Sequence, residues 1–347
     1  MSKLSKLSLI GIAFFAVASY ASCDTKSNQS EKTTNNEVDS IQLTAQNSFK
    51  SLPAQMENPN NALTPEKIAL GKMLYYDTKL SMKGNVSCNS CHNLGTYGVD
   101  NLSFSKGDDG LNGGRNSPTV LNAALHTTQF WDGRAKDVEE QAGGPILNPV
   151  EMHIPNKAFL EAKLKKDETY TKMFAAAFPN EKNPLNFNNI TMSIAAFERT
   201  LVTPSKFDDY LNGNKDALTA EEKIGLALFV KTGCTTCHSG SILGGQMFQK
   251  FDLFGNYWDL TKSNKVDSGR AALTKNPSEA FMFKVPSLRN IEKTGPYFHD
   301  GSVAKLNDAV GIMGKAELNK DLTPEEINSI VTFLNTLTGK VPETALN

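Results

Sequence analysis

Cys88-Asn89-Ser90-Cys91-His92 and Cys234-Thr235-Thr236-Cys237-His238 are two copies of one pentapeptide pattern, and their reading decides the fold. Two cysteines at this spacing, followed at once by a histidine, form the attachment site of a c-type haem. The thiols become thioethers to the porphyrin and the histidine an axial iron ligand. A thioredoxin-like redox pair would account for one Cys-x-x-Cys but not for a histidine after both. A four-cysteine zinc site would use the cysteine spacings and leave both histidines idle. The pattern therefore predicts two covalently bound haem c groups, held by Cys88, Cys91, Cys234 and Cys237, with His92 and His238 on the irons.

The fifth cysteine of the chain is Cys23. Before it stand Lys3 and Lys6, an apolar run from Leu7 to Ala18 and small residues at Ala21 and Ser22, which reads as an export signal over residues 1–22. The run is too short to span a bilayer comfortably. Small residues directly before a cysteine resemble the lipobox of bacterial lipoproteins, although Tyr20 stands where an aliphatic residue is usual. We expect a periplasmic protein, either anchored by a lipid on Cys23 or released by ordinary signal peptidase. Residues 23–50 are rich in Ser, Thr, Asn, Gln, Lys and Glu and read as a disordered tether. A formal net charge of −1 gives no sign of a nucleic-acid partner.

A weak internal repeat organises the rest. Thr64 is an N-cap with Pro65 at the first helical position, and Leu70, Met73 and Leu74 follow at helical spacing. Leu218-Thr219-Ala220-Glu221 through Phe229 repeats the pattern. A haem motif follows each helix. A second helix closes each half, Ile190 to Leu201 in the first and Pro324 to Leu337 in the second, the latter capped by Thr323. Gly, Asn, Asp and Pro fill the stretches between, so long loops and few strands are expected. The fold class is mainly α. A helix, an attachment loop, irregular segments and a closing helix resemble the class I cytochrome c fold. Two such domains are expected, at residues 51–205 and 206–347, with long loops around the covalently bound haems.

Five further segments carry a family resemblance. Asn116-Ser117-Pro118-Thr119-Val120-Leu121-Asn122, Gln129-Phe130-Trp131-Asp132-Gly133-Arg134-Ala135 and Asn148-Pro149-Val150-Glu151-Met152 lie in the first half. Val285-Pro286-Ser287-Leu288-Arg289-Asn290 and Pro296-Tyr297-Phe298-His299-Asp300-Gly301-Ser302 lie in the second. As an ordered set they resemble the bacterial dihaem cytochrome c peroxidases across residues 50–340. The resemblance implies reduction of hydrogen peroxide to water, with electrons from a small cytochrome c or a cupredoxin, and allows a homodimer. It implies an electron-accepting C-terminal haem with His238 and Met313 as axial ligands; a thioether ligand raises the potential. The N-terminal haem, with His92 proximal, would be the peroxide site. Glu151 would shuttle the proton there, assisted by the amide of Gln141. Trp131 would lie between the haems, and His299 would line the electron-entry route. A calcium ion is implied at the interface, on the Asn116 side chain and the carbonyls of Thr294 and Pro296.

The pattern breaks at one place. Many family members carry a histidine sixteen residues after the proximal one, which caps the peroxidatic iron in the oxidised enzyme. This sequence has Asp108 there, within Ser105-Lys106-Gly107-Asp108-Asp109-Gly110. The N-terminal haem is accordingly expected to be open in the oxidised state, unless His126 or His153 swings in as a substitute. Two other readings stand beside the peroxidase. One is a dihaem electron carrier without catalysis. The other is an enzyme oxidising protein side chains, like the one that oxidises tryptophans of methylamine dehydrogenase; that relative has tyrosine where Met313 stands.

Overall fold

The computed structural model describes residues 40–251 and 253–346, so the export signal, Cys23 and the tether up to residue 39 lie outside the described residues. Thr64 caps its helix as expected, its hydroxyl accepting from the Lys67 amide with Pro65 at the first position. Thr219 and Thr323 each form a reciprocal capping box with the glutamate three residues on, Glu222 and Glu326. These local signals set where the principal helices start.

The elements run α1 (residues 40–48), α2 (Pro65–Tyr76), α3 (Cys88–Cys91), α4 (Val138–Leu147), α5 (Lys157–Leu164), α6 (Glu168–Ala177) and α7 (Phe187–Glu198) in the first half. The second half holds α8 (Lys206–Leu211), α9 (Ala220–Thr232), α10 (Tyr257–Thr261), α11 (Ala271–Thr274), α12 (Leu306–Leu318) and α13 (Pro324–Asn335). The described strands are short: β1 (Phe248–Lys250) pairs antiparallel with β2 (Met282–Lys284), Phe248 opposite Lys284. The fold is mainly helical, as the composition of the loops foretold.

Each half rests on one tight helix crossing. A Cβ built on Gly71 of α2 would meet the Ser193 carbonyl oxygen of α7 at 1.9 Å and the Phe197 Cβ at 2.9 Å. A Cβ built on Gly225 of α9 would meet the Ser329 carbonyl oxygen of α13 at 2.0 Å and the Phe333 Cβ at 3.0 Å. Both crossings thus set a glycine against a serine carbonyl and the phenylalanine four residues later. Around the first pack Leu70, Leu74, Ile190 and Ile194, and around the second Leu226, Phe229, Ile330 and Leu334. The repeat reaches further than the helices. Asn122 and Asn290 both adopt φ of 60°, Phe130 and Phe298 take 66° and 71°, and Gly133 and Gly301 take 72° and 58°. Short antiparallel bridges, Gln129 with Ala135 and Tyr297 with Val303, close the two turns. Trp131 and His299 therefore occupy equivalent places.

The chain ends cross over. Residues 40–48 are helical, so the tether stops short of the expected residue 50, and Ala45 and Phe49 enter the core with Phe207, Phe229 and Phe333. At the other end Ala345 and Val341 pack with Tyr75 and Leu94. Lys72 Nζ donates to the carbonyls of Thr344 (3.0 Å) and Leu346 (2.6 Å). The described residues, from 40 onward, form one compact unit.

One buried acid in this frame has a pH signature. Glu198, at the end of α7, is 6% exposed, and the neighbouring Arg199 is already engaged bidentately by Glu139 at 2.7–2.8 Å. Burial first, then the Glu139 charge, raises Glu198 from 4.5 to about 8, against the pull of Arg199. The folded state keeps a proton there that the unfolded chain releases above its ordinary pKa. Stability should therefore fall as pH rises from about 4.5 to about 8 and change no further above that. Glu198→Gln should flatten this fall; urea unfolding of the haem-loaded protein on both sides of the window measures it.

Candidate functional site

In the first half the attachment motif is α3 itself. Ser87 caps it, with the Ser87 amide donating to Ser90 Oγ at 3.0 Å, and Asn89 Oδ1 accepts from the Leu94 amide at 3.0 Å. Tyr75 from α2 reaches over, its hydroxyl donating to the His92 carbonyl at 2.5 Å. The second motif follows α9 without a break. Gly233 ends that helix at φ of 102°, and Cys234 begins the next turn. Burial pushes all four thiols up, Cys234 to about 11. Such surroundings favour a neutral sulfur, which a thioether is.

His238 Nδ1 lies 2.9 Å from the Leu243 carbonyl. A proton donated there fixes the tautomer and leaves the Nε2 lone pair for a metal. His92 is half-buried; desolvation of the ring holds its pKa down, partly offset by the Pro118 backbone, Asp100 and the Gly98 backbone. Its Nδ1 has no hydrogen-bond partner. In the second half a cavity of about 320 Å³ is lined by Cys234, Cys237, His238, Met313, Trp131 and His299. Met313, on α12, thus faces the same space as His238. The lining also contains His126, whose Nδ1 is buried without a partner, as are both ring nitrogens of His299. A largely apolar hollow with attachment cysteines, an oriented histidine and orphaned ring nitrogens fits a haem with its polar groups.

Glu151 is half-buried at the end of the α4 loop, and Asn148 Nδ2 donates to its Oε1 at 2.9 Å. Burial raises its carboxyl above the ordinary range, while the Arg134 charge and the Asn148 bond pull it down. Gln141 lies on α4, half-buried, and no hydrogen bond joins it to Glu151 among the described contacts. Asn148 is the partner that sequence reasoning missed, although it opens the quoted Asn148–Met152 segment.

The departure at Asp108 has a structural account. Asp108 is 3% exposed; its carboxylate accepts from the amides of Lys83 (2.5 Å) and Asn85 (3.0 Å). Burial raises its pKa, but these amides and Ser81 outweigh it, and the net shift is downward. The carboxylate is occupied by backbone, not free to reach an iron. The Asp108 amide donates to the Glu151 carbonyl at 2.7 Å, and a Cβ on Gly107 would meet the Val150 oxygen at 1.9 Å. The loop at Gly107-Asp108 therefore clasps the loop carrying Glu151.

The two candidate substitute histidines lie in different surroundings. His126 lines the cavity of His238 and Met313. His153, exposed at φ of 59°, holds Asp109 at 2.5 Å, and Asp109 also pairs with Lys83 at 2.6 Å.

Trp131 Nε1 donates to the Asn116 carbonyl at 2.9 Å, and its ring meets His299 edge-on at 6.4 Å. His299 is 2% exposed and stacks on Phe283 at 4.2 Å, so it sits inside the wall and not at an entry surface. Asn116, Thr294 and Pro296 all line this cavity. The Asn116 Nδ2 is committed to the Leu102 carbonyl at 2.9 Å, which leaves Oδ1 for a cation. Among the described residues no cluster of three His, Cys, Asp or Glu forms a metal site, so a cation here would rest on neutral oxygens.

Residues 65–216 match the family model described as di-haem cytochrome c peroxidase. The chain is 44% identical to cytochrome c551 peroxidase of Pseudomonas aeruginosa over 308 residues, 88% of each chain. It is 45% identical to cytochrome c551 peroxidase of Nitrosomonas europaea over 289 residues, 82% of this chain and 84% of that one. Its fold matches a solved MauG-like protein associated with microbial copper homeostasis, with a TM-score of 0.76 and 30% identity over 86% of this chain and 97% of the other.

The clasp around Glu151 can be broken in two ways. Asp108→Ala removes the two hydrogen bonds from the Lys83 and Asn85 amides and should cost about 1–3 kcal/mol in all. Gly107→Ala forces a methyl into the Val150 carbonyl and should cost a similar amount, about 1–3 kcal/mol. Urea midpoints of the haem-loaded variants check both; unchanged midpoints would refute the clasp.

Proposed function

The chain belongs to the di-haem cytochrome c peroxidase family and is a peroxidase oxidoreductase; from that premise we propose that it reduces hydrogen peroxide to water at the Cys88–His92 haem. Electrons would arrive at the Cys234–His238 haem from a small cytochrome c or cupredoxin. The observation that carries this reading is Glu151, a half-buried carboxyl with a raised pKa, fixed by Asn148 on one oxygen and by the Gly107-Asp108 backbone beneath.

Bound haem supplies the iron that coordinates peroxide and the electrons that reduce it. The protein residues move the proton. With Oε1 held by Asn148, Oε2 of Glu151 takes the proton from one peroxide oxygen and returns it to the other, so that the leaving oxygen departs as water. The raised pKa suits a group that must both accept and release. Gln141 would steady peroxide or Glu151 through its amide. Met313 would hold the haem iron of the electron-transfer centre together with His238, and Trp131 would lie between the two centres. A calcium ion would sit on Asn116 Oδ1 and the carbonyls of Thr294 and Pro296. The two halves would be class I cytochrome c domains, 51–205 and 206–347, working in the periplasm with Cys23 as a lipid anchor.

An open peroxide site is supported by the engagement of Asp108, the placing of His126 in the other cavity and the pairing of His153 with Asp109. The oxidised protein should show one high-spin haem before any reduction. Two purely low-spin haems in its optical and EPR spectra would sink this idea. Glu151→Gln should lower peroxide turnover with reduced cytochrome c by about 10²–10⁴-fold while both haems stay attached. Unchanged turnover would remove Glu151 from the proton path.

A further inference from the structure

Lys284, on β2, is a buried cation that the proposed reaction does not use. It is 7% exposed and lines the same cavity as His238 and Met313. Its backbone is pinned, the amide donating to the Trp131 carbonyl at 2.7 Å. Its ammonium carries three N–H groups, and the described hydrogen bond is one, to the Thr128 carbonyl at 2.8 Å. The acid acting on it is Asp132, and that carboxylate is already held by Arg115 at 2.8 Å and Arg134 at 3.0 Å. Glu317 also lines the cavity, but on the side of Cys237, whose pKa its charge raises. Burying an ammonium with so little compensation is strongly unfavourable. A haem carries two propionates, which are carboxylates of the kind this ammonium lacks.

We propose that Lys284 is the counter-charge of a propionate on the C-terminal haem, pairing with that carboxylate inside the cavity and holding the reduction equilibrium of this haem toward the ferrous form. The assignment rests on the reading that haem is attached at Cys234 and Cys237. The physical reason is simple. An uncompensated propionate near the iron stabilises the ferric charge, and a buried ammonium beside it removes that preference in a medium of low dielectric constant. Lys284 is thus a positioning and potential-setting residue, away from the peroxide chemistry.

The test uses the haem-loaded full chain and reads the midpoint potential of the methionine-ligated haem against pH. Burial without a propionate holds Lys284 at about 7. An unpaired Lys284 would lose its proton near neutrality, and the potential would fall as pH rises between about 6 and 8. A paired one keeps its charge, and the potential stays flat. Burial moves the titrations of His126 and His299, which share the cavity, toward lower pH. Lys284→Gln should shift the reduction equilibrium toward the ferric form at least tenfold, about 59 mV for a one-electron couple. It should also make the potential pH-dependent as the bare propionate takes up a proton. Lys284→Arg should restore both. A wild-type potential that falls through neutrality, a Gln variant equal to wild type, or equal shifts in Gln and Arg would each overturn the proposal. Should the Gln variant fail to fold, the wild-type titration decides alone. A haem count of two per chain with the methionine signature separates this outcome from failure of the underlying reading.

Discussion

Two helix crossings too close for a side chain to fit between them hold up both haem sites. At Gly71 and at Gly225 a helix backbone lies directly on the carbonyl of a serine from the closing helix. That contact fixes the height of each first helix over its core, and each haem motif hangs from that helix. Tyr75 of α2 holds the His92 carbonyl, and Gly233 passes α9 straight into Cys234. Larger residues at the glycines would separate the helices and shift cysteine and histidine relative to the walls they must match.

The likeness of the halves makes their differences informative. The same turn presents Trp131 in one half and His299 in the other, and the two side chains meet where the halves join. The second half places a methionine and a histidine around one cavity, together with a buried lysine. The first half places a carboxyl, Glu151, on a loop clasped by Gly107 and Asp108. Burial acts on both, raising an acid in one half and lowering a base in the other. The frame is duplicated, and its chemistry diverges in a few buried ionisable groups.

What was legible in the sequence was what depends on near neighbours. The caps at Thr64, Thr219 and Thr323 and the pentapeptide motifs are local chemistry, and their elements begin where that chemistry says. Groups whose role depends on distant partners were not legible. Gly71 reads as a mild helix defect until Ser193 is laid against it. Asp108 reads as a weak iron ligand until the amides of Lys83 and Asn85 are seen to occupy it. His126 follows His92 in sequence, yet the fold carries it to the cavity of the other haem motif. Lys284 looks like any strand lysine; only its depth in the wall makes it notable. The helical residues 40–48 were hidden by polar composition, because Ala45 and Phe49 are few and their partners are far along the chain.

The crossing at the two ends of the folded unit bears on whether either half is complete in itself. A duplicated module normally keeps its own beginning and end, and so can be copied, lost or traded with other proteins as one piece. Here the opening helix completes the core of the later half through Phe49, and the closing residues around Ala345 complete that of the earlier half. No single cut in the gene releases a half with its packing intact. Each half thus depends for its packing on chain from the far end, and the two make one structural unit.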